Sequence, residues 1–472
     1  MINGGFMKFM IFIVFMVFGF SIYGAGYTLP IYGYYDMARG GASVVKSYDL
    51  TANVINPANI INIKGISSFI GLGVINTSGT AQYYDRGINN DNTRYDKVIK
   101  NSPDSFLNPI IAVSDDFGLK KFNFSISLHG PYAPDYKYNK RCSKSVPSCP
   151  NRYSLYESDI TLANLQFSIA YKVLNNLSVG IGIKESYINF KYDLDLINSD
   201  DDKMILLTEE SKKGNTDTNL IFDVTDKYNF NVLLGMNYKL NDNLSMAFTY
   251  QSPISVDADG TMEAKIYDSS IALTMNNTEI VGNDLNVKLN LPHIMGAGIL
   301  FEIENKFNIE LDLNVEFWSV HDKIVITPKN VKAEYTVMGN KNSIELSSIS
   351  QKKNWKNTYN LSLGGDYLLL NGDLILSVGG FYETGAIPDE YFDVSIVDSD
   401  KFGFGTGFIY RWNDLAFNFS ASYIKFLQRD IKNSKVHPGN ALKEDYPEDF
   451  IVGNGKFDTD IIIFSSGVAW NF

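Results

Sequence analysis

Apolar and polar residues alternate with a period of two along much of the chain. The clearest case is the segment 306–318, in which the odd-numbered positions are apolar and the even-numbered positions from 306 to 316 are polar or charged. The segments 163–171 and 415–423 repeat this alternation, and in 402–410 large aromatic residues occupy one face and glycines the other. A period of two indicates a β-strand whose two faces meet different surroundings. The pattern therefore predicts a chain rich in amphipathic strands.

The alternating segments form one long series. Short turns such as Asn175-Asn176 and Asn371-Gly372-Asp373 separate some of them, and long polar connections such as 79–106 and 196–226 separate others. The fourteen predicted strands are 66–78, 107–115, 120–130, 158–173, 177–194, 228–240, 243–257, 284–304, 306–324, 353–369, 372–385, 399–411, 414–428 and 459–472.

The first 24 residues are predicted to be a signal peptide. Lys8 supplies a positive charge, Phe9–Phe20 is an apolar run, and small residues lead to a cleavage point near Gly24. A membrane anchor is the alternative, but the apolar run is shorter than the ~18–20 residues that a spanning helix needs. We therefore expect the mature chain to leave the cytoplasm.

The two cysteines of the chain lie close together. Cys142 and Cys149 flank a stretch rich in turn-forming residues. In an exported chain this spacing favours a local disulfide. A metal site would need further Cys or His ligands nearby, and the sequence has none there.

Amphipathic strands can form either a soluble sandwich with an apolar core or a closed barrel with its apolar face in lipid. Export, strands of about ten residues or more, and aromatic residues near strand ends favour the barrel. In lipid, only a closed barrel satisfies the backbone groups of every strand. We therefore predict an all-β fold in which residues 65–472 form a 14-stranded antiparallel transmembrane β-barrel surrounded by outer-membrane lipid. The last residue, Phe472, is an outward-facing aromatic that resembles the signal read by the bacterial barrel assembly machinery.

Residues 25–64 do not alternate and contain many small residues. About 40 residues without a spanning pattern, placed before a closed barrel, have the right size for a plug. We name this segment the hatch, and a periplasmic tail is the alternative.

Charge and motifs exclude several classes of function. The formal net charge is −12, which argues against nucleic acid as a partner. The four histidines have no nucleophile motif around them, and the sequence contains no P-loop. We therefore expect neither an enzyme nor a bound cofactor.

The sequence resembles the FadL/TodX family of outer-membrane transporters for long-chain fatty acids and hydrocarbons. The matching pieces follow one another along the chain, and two features depart from the family: the cysteine pair and the marked acidity. The pieces are Ala25-Gly26-Tyr27-Thr28-Leu29, Asn56-Pro57-Ala58, Asn290-Leu291-Pro292, Gly296-Ala297-Gly298, Phe317-Trp318-Ser319, Trp355-Lys356-Asn357-Thr358-Tyr359, Leu363-Gly364 and Ile387-Pro388-Asp389.

The resemblance implies a plugged 14-stranded barrel in the bacterial outer membrane. A hydrophobic ligand, foremost a long-chain fatty acid, would be captured at extracellular loops, pass to an inner pocket, and leave sideways through a gap beside a kinked third strand. Tyr27 and Leu29 would lie near the inner pocket. The hatch motif Asn56, Pro57 and Ala58 would lie beside the kinked strand.

The predicted third strand carries residues that suit such a kink. It ends at His129-Gly130-Pro131, where proline cannot donate a ladder hydrogen bond and glycine weakens pairing. The alternative is that the strand simply ends at this turn.

The identity of the substrate stays open in the sequence. Arg39, Lys184 and Lys356 could each pair with a substrate carboxylate. The alternative is that they pair with lumen carboxylates, for which the candidates are Glu310, Asp312 and Glu316. Neutral aromatic hydrocarbons could use the same route, and a general porin or an adhesin barrel are further alternatives.

Overall fold

The computed structural model describes residues 26–27, 33–84, 98–101, 105–132, 136–139, 149–197, 217–266, 276–304, 306–337, 339–437 and 451–471. The strands are β1 (Ser67–Tyr83), β2 (Ile99–Lys100), β3 (Phe106–Asp115), β4 (Phe122–Tyr132), β5 (Tyr136–Lys137), β6 (Glu157–Leu174), β7 (Leu177–Ile197), β8 (Asp217–Asn241), β9 (Leu244–Gln251), β10 (Ile254–Ile266), β11 (Asn276–Val281), β12 (Asp284–Leu291), β13 (Ile294–Ile303), β14 (Phe307–Glu316), β15 (Lys323–Lys329), β16 (Lys332–Val337), β17 (Asn340–Glu345), β18 (Ile349–Lys352), β19 (Thr358–Leu369), β20 (Leu374–Glu383), β21 (Lys401–Trp412), β22 (Leu415–Phe426), β23 (Arg429–Ile431) and β24 (Gly455–Asn471).

Helices are short in the described part of the chain. They are α1 (Tyr34–Ala38), α2 (Ala52–Ile55) and the 3₁₀ turns Pro57–Asn62, Pro150–Tyr153, Trp318–Val320, Leu370–Gly372 and Asp389–Tyr391. None of these helices has the length and apolar character needed to cross a membrane.

Fourteen strands form one closed antiparallel barrel. Their order around the wall is β1-β3-β4-β6-β7-β8-β9-β13-β14-β19-β20-β21-β22-β24. The last strand then pairs with the first over its whole length, from Ser67↔Asn471 to Tyr83↔Gly455. The predicted fold class and strand number are confirmed. A single closed sheet is incompatible with the sandwich alternative.

The two faces of each strand separate as the alternation predicts. Ile309, Leu311 and Leu313 on β14 point outward and are 42–46% exposed. The intervening Glu310 and Asp312 point inward and are fully buried. The apolar faces therefore form the outer surface of the barrel, and the polar faces line its interior.

The barrel has two different ends. At the short-turn end, neighbouring strands are joined by tight turns, such as the one at Asn371 and Gly372, which both have positive φ. At the long-loop end, several strands continue beyond the barrel wall as β10, β12, β15 and β18, which pair with one another and with β8. Much of 258–282 and 325–352 lies outside the fourteen predicted strands, because these extensions pair mainly with each other and carry only a weak pattern.

The hatch residues 33–64 lie inside the barrel toward the short-turn end. The hatch approaches the wall most closely at wall positions that are occupied by glycine. A Cβ atom built at Gly235, Gly379 or Gly405 would lie about 2 Å from a hatch atom. The inward-facing glycines therefore make room for the hatch backbone. The predicted signal peptide, residues 1–24, lies outside the described residues.

Candidate functional site

A cavity of about 570 Å³ lies inside the long-loop end of the barrel, beyond the hatch. Its volume falls in the ~300–1,000 Å³ range of small-molecule sites. Most of its wall is aliphatic or aromatic, and the apolar lining comprises Phe190, Leu194, Leu196, Leu220, Phe222, Val287, Leu289, Ile324, Ile326, Ile349 and Ile396. The inward face of the wall is thus apolar at this level.

Charged groups border this cavity. Lys353 forms an ion pair of 3.1 Å with Asp393, and Lys435 forms one of 2.8 Å with Glu390. Lys352 also belongs to the lining. The cavity therefore combines an apolar interior with a polar border.

Tyr27 belongs to the lining of the cavity and sits in a cluster of rings. Its ring centroid lies 5.4 Å from Trp355, 5.6 Å from His321 and 5.9 Å from Trp318. Among the described residues, the Tyr27 hydroxyl has no hydrogen-bond partner. Burial raises the pKa of this hydroxyl well above its usual value. Leu29, the other predicted pocket residue, lies outside the described residues.

His321 is held as a neutral ring in the same cluster. Its Nδ1 lies 2.9 Å from the carbonyl oxygen of Asn290, so Nδ1 carries the proton that is donated. Burial lowers the pKa of His321 to about 3. Its Nε2 has no partner among the described residues. The cluster therefore contains three buried polar atoms without a partner among the described residues: the Tyr27 hydroxyl, Nε2 of His321 and Nε1 of Trp355.

A buried ion cluster fixes the first half of the hatch to the wall. Arg39 donates to Glu310 at 2.9 Å, and its guanidinium lies 3.7 Å from Asp366. All three side chains are fully buried. The backbone amides of Val44 and Val45 donate to Asp312 and Glu310 at 2.8 and 2.6 Å. Arg39 therefore makes the lumen ion pair given as the alternative in the sequence analysis.

The hatch motif packs against the wall and also makes hydrogen bonds to other residues of the hatch. The side-chain amide of Asn56 donates to the carbonyl of Val44 at 2.8 Å, and its Oδ1 accepts from the amide of Ala58 at 3.0 Å. Pro57 and Ala58 lie against Gly180 of β7. Asn56 thus links two turns of the hatch while the motif fills the space over β7 and β8.

The hatch reaches the third wall strand, β4, through a residue that the sequence analysis did not single out. Asn53 donates to the hydroxyl of Ser127 on β4 at 2.8 Å, and its carbonyl accepts from Gln166 on β6 at 2.6 Å. Nearer the short-turn end, Asn123 donates to the carbonyl of Ile63 at 2.7 Å. No local pattern marks Asn53 as a contact of β4, because the contact depends on how the hatch turns inside the barrel.

The wall has a gap between β3 and β4. Their pairing runs from Asp115↔Phe124 to Ile110↔His129 and stops there within these described strands. β4 continues to Tyr132, but Gly130 and Pro131 together stand opposite the single residue Ala163 of β6. Phe106–Pro109 of β3 pair only with β1. We call this unpaired stretch the wall gap.

Prolines on both strands explain why the ladder ends here. Pro109 of β3 and Pro131 of β4 lack an amide hydrogen, so each strand loses a donor at the wall gap. His129 is buried at the edge of the gap, where its ring nitrogens lie 3.5 Å from Ser127 and 3.4 Å from Asn164. Pro131 was predicted from the sequence and Pro109 was missed, although a proline inside the predicted strand 107–115 is a visible signal.

The remaining predicted residues fall in different places. Lys184 is buried on the inner face of β7 and donates to Gln251 at 2.6 Å. Lys356 is exposed at the barrel rim. Cys149 is disulfide-bonded, whereas its predicted partner Cys142 lies outside the described residues. Phe472 also lies outside them.

A larger concavity of about 940 Å³ lies on the outer face of the wall. Its lining includes Leu72, Phe408 and Phe419, which point away from the lumen. These three side chains face the outer surface of the barrel, whereas the smaller cavity lies within the lumen, so the inner cavity is the candidate ligand site.

Comparison with known proteins gives related sequences and folds. The long-chain fatty acid transport protein of Escherichia coli O6:H1 (strain CFT073) is 23% identical over 282 residues, which cover 57% of this chain and 60% of that protein. The protein of the same name from Escherichia coli K12 is 22% identical over 293 residues, with the same coverage. The chain thus spans about 60% of the length of the curated relatives it matches.

Solved structures resemble the fold over nearly the whole chain. A Pseudomonas aeruginosa FadL homologue gives a TM-score of 0.72 at 14% identity and covers 95% of this chain and 100% of its own. The Pseudomonas putida toluene transporter TodX gives 0.63 at 15% identity, with coverages of 94% and 99%.

The family itself is identified by sequence. A family model described as outer membrane protein transport protein (OMPP1/FadL/TodX) matches residues 27–454. This match covers most of the chain and confirms the family resemblance and the predicted location. The chain belongs to the OMPP1/FadL/TodX family, whose members are transport proteins of the bacterial outer membrane rather than enzymes.

Proposed function

We propose that this protein is a channel for the passive uptake of hydrophobic molecules, foremost long-chain fatty acids. The observation that carries the proposal is the apolar cavity at the long-loop end, closed below by the hatch. An aqueous porin requires an open, water-filled lumen, and an apolar chamber above a plug does not fit that function. A chamber of this kind suits a ligand that is poorly soluble in water and enters from the outside.

The energetics of a long acyl chain favour such a route. Each CH₂ group gains about 0.8 kcal/mol when it leaves water for apolar surroundings. A water-filled pore would forfeit this gain at every step. Passage from the loops to the apolar cavity and then into the bilayer retains it, and therefore needs no coupled source of energy.

Release is proposed to occur sideways through the wall gap. Below the cavity the lumen is filled by hatch residues that touch wall glycines, which leaves little room for an axial path. The proposed exit is the wall gap, where the pairing of β3 with β4 stops beside His129, Gly130 and Pro131. We infer that hatch movement around Asn56, Pro57 and Ala58 accompanies this step, and that Tyr27 and Leu29 contact the ligand above it.

Closing the wall gap tests the route directly. Deletion of Gly130 combined with Pro131→Val removes the extra residue opposite Ala163 and restores an amide donor. We expect this variant to lose uptake of radiolabelled palmitate in cells that lack their own transporter. The barrel should still migrate as a folded species on an unboiled gel. Wild-type uptake by this folded variant would exclude the wall gap as the exit.

A neutral aromatic hydrocarbon is the second candidate substrate, favoured by the ring cluster around Tyr27. Competition between palmitate and toluene for the purified protein separates the two. Liposome swelling with small sugars tests the porin alternative, which requires an open aqueous lumen.

Insertion by the barrel assembly machinery is proposed to depend on Phe472, and deletion of this residue should lower the yield of folded barrel. An additional adhesin role of the loops would appear as binding to host cells that is unaffected by palmitate.

A further inference from the structure

A buried carboxylate at the long-loop end of the barrel lacks hydrogen bonds. Glu383 is the last residue of β20, points into the barrel and is 1% exposed. Neither of its two carboxylate oxygens has a hydrogen-bond partner among the described residues. Burial of a carboxylate costs free energy unless hydrogen bonds or a positive charge replace the water that it loses. The position of Glu383 therefore calls for a further partner.

The lysine beside Glu383 compensates its charge only in part. The ammonium of Lys401 lies 3.6 Å from Glu383, which is longer than a normal hydrogen bond. It lies closer to Asp398, at 2.9 Å, and it also donates to the carbonyl oxygen of Ser399 at 3.2 Å. The other oxygen of Asp398 accepts from the amide of Ala386. Lys401 and Asp398 thus balance each other, and most of the negative charge of Glu383 is left over.

Further buried polar side chains adjoin Glu383 on the neighbouring wall strands. Cross-strand pairing places Asn360 of β19 opposite Glu383, and Thr358 of β19 opposite Glu316 of β14. All four side chains face inward and are at most 4% exposed. One oxygen of Glu316 accepts from the indole nitrogen of Trp318 at 2.6 Å. We call Glu316, Thr358, Asn360 and Glu383 the Glu383 cluster.

Two side chains of the cluster that carry no charge are also left without partners. The hydroxyl of Thr358 and the side-chain nitrogen of Asn360 have no hydrogen bond among the described residues, although both side chains are fully buried. Buried polar atoms are almost always bonded to protein or to an ordered ligand. Residues opposite each other on one face of a sheet have Cβ atoms about 4.5–5.5 Å apart, so these groups converge on one part of the lumen.

The chemistry of the cluster suits a hard divalent cation. Carboxylate and hydroxyl oxygens are hard ligands, and Ca²⁺ accepts a mixture of such oxygens with water in a flexible geometry. In the described part of the chain, no three His, Cys, Asp or Glu side chains form a metal-binding group by themselves. The Thr358 hydroxyl and water would therefore have to join the two carboxylates, and the amide of Asn360 is placed to donate to such a water.

We infer that the Glu383 cluster binds a calcium ion through Glu383, Glu316 and Thr358, with water completing the coordination shell. The ion neutralises the buried charge of Glu383 and enters from the long-loop end, which faces the outside in barrels of this kind. It also holds the connection 384–400, which begins next to Glu383 and ends at Lys401. This connection contributes part of the wall of the inner cavity, namely Tyr391, Asp393, Ser395 and Ile396. The inference does not depend on which molecule the cavity binds.

Terbium luminescence tests the site directly, because Tb³⁺ replaces Ca²⁺ at oxygen ligands and emits when a nearby indole is excited. Trp318 donates to Glu316 and is therefore placed to excite an ion in the cluster. The full-length protein in detergent, freed of metal with EDTA, should give saturable emission that Ca²⁺ displaces. Glu383→Gln keeps the shape of the side chain but removes its charge, and it should weaken Ca²⁺ binding about tenfold or more. Thr358→Val should weaken it several-fold. Glu345→Gln, which changes an exposed carboxylate of β17, is the matched control and should bind as the wild type does.

Urea unfolding with Ca²⁺ or with EDTA gives a second readout that does not depend on luminescence. A cation that binds only the folded chain raises its stability, so Ca²⁺ should raise the urea midpoint of the wild type and of Glu345→Gln. Glu383→Gln should show no such rise and should be at least as stable in EDTA as the wild type, because it has no buried charge to compensate.

Several results would overturn the calcium site. These are the absence of saturable emission, an equal Ca²⁺ effect on Glu383→Gln and the wild type, and the same stabilisation by NaCl at equal ionic strength. A wild type that is insensitive to Ca²⁺, and that loses stability relative to Glu383→Gln as the pH is raised, would show that Glu383 takes up a proton in place of a cation. That result would also reject the site.

Discussion

The Oδ1 atom of Asn56 lies directly over Gly235, so that a Cβ atom at residue 235 would be 2.0 Å away from it. This contact joins the hatch motif to β8 of the wall. The same Oδ1 accepts from the amide of Ala58 and therefore cannot rotate away without losing that hydrogen bond. The position of the hatch thus depends on Gly235 of the wall as much as on the hatch motif itself.

Gly235→Ala should displace the hatch. The added methyl group overlaps Asn56, and overpacking of this kind costs about 1–3 kcal/mol. We expect lower stability against urea in detergent and faster liposome swelling with small sugars. Gly79→Ala is the matched control, because its nearest neighbour, Thr459, would lie at an ordinary 3.4 Å. Equal behaviour of the two variants would show that the close contact at Gly235 is unimportant.

Asn56→Ala should impair uptake without weakening the barrel. The substitution removes the hydrogen bonds to Val44 and Ala58, which hold two turns of the hatch together. Palmitate uptake is expected to fall several-fold, by the loss of about 1 kcal/mol for each hydrogen bond. The temperature at which the barrel unfolds on a gel should not change. Asn62→Ala removes an exposed amide near the end of the hatch and serves as the control. Uptake at the wild-type rate by Asn56→Ala would show that Asn56 has no role in uptake.

Arg39→Met should destabilise the protein strongly. It leaves the buried carboxylates of Glu310 and Asp366 without their cation, and breaking a buried pair in this way costs about 3–5 kcal/mol. Lys46→Met is a fair comparison, because Lys46 also links the hatch to the wall but pairs with Glu302 at a partly exposed site. Its loss should cost no more than about 1 kcal/mol. Urea unfolding of both variants measures the difference, and equal costs would contradict the role given to Arg39.

Stability should fall below about pH 6.5 because of His321. Its folded pKa of about 3 lies below the unfolded value near 6.5, so the unfolded chain binds the proton more readily between these values. The contribution of His321 to stability is therefore present above pH 6.5 and decreases by roughly 1 kcal/mol per pH unit as the pH falls toward 3. His321→Gln cannot titrate. The difference between the two urea-unfolding profiles isolates this effect from that of the carboxylates, and parallel profiles would refute it.

Much of the architecture could be predicted from local pattern. The alternation in 306–318 identified which residues of β14 face outward, and Asn371-Gly372 marked a turn. The inner cavity could not be located in this way. In β8 one extra residue between Asp226 and Asn229 reverses which positions face inward, so Phe222 and Asn231 both line the lumen despite their opposite parity.

Some of the site residues could likewise be predicted from local pattern, and others could not. His129, Gly130 and Pro131 were visible because glycine and proline disturb any strand. Pro109 was not singled out, and its importance depends on the strand that pairs beside it.

Local pattern is enough to specify the number of strands, the face of each strand that meets lipid, and the position of the tight turns, because these follow from the period of a strand and the chemistry of turn residues. The folded barrel is needed to show where the hatch touches the wall, which carboxylates pair with Arg39, and that Lys184 has no such partner among the described residues. These contacts join residues up to hundreds of positions apart. They are set by barrel closure and strand register, which no local pattern encodes.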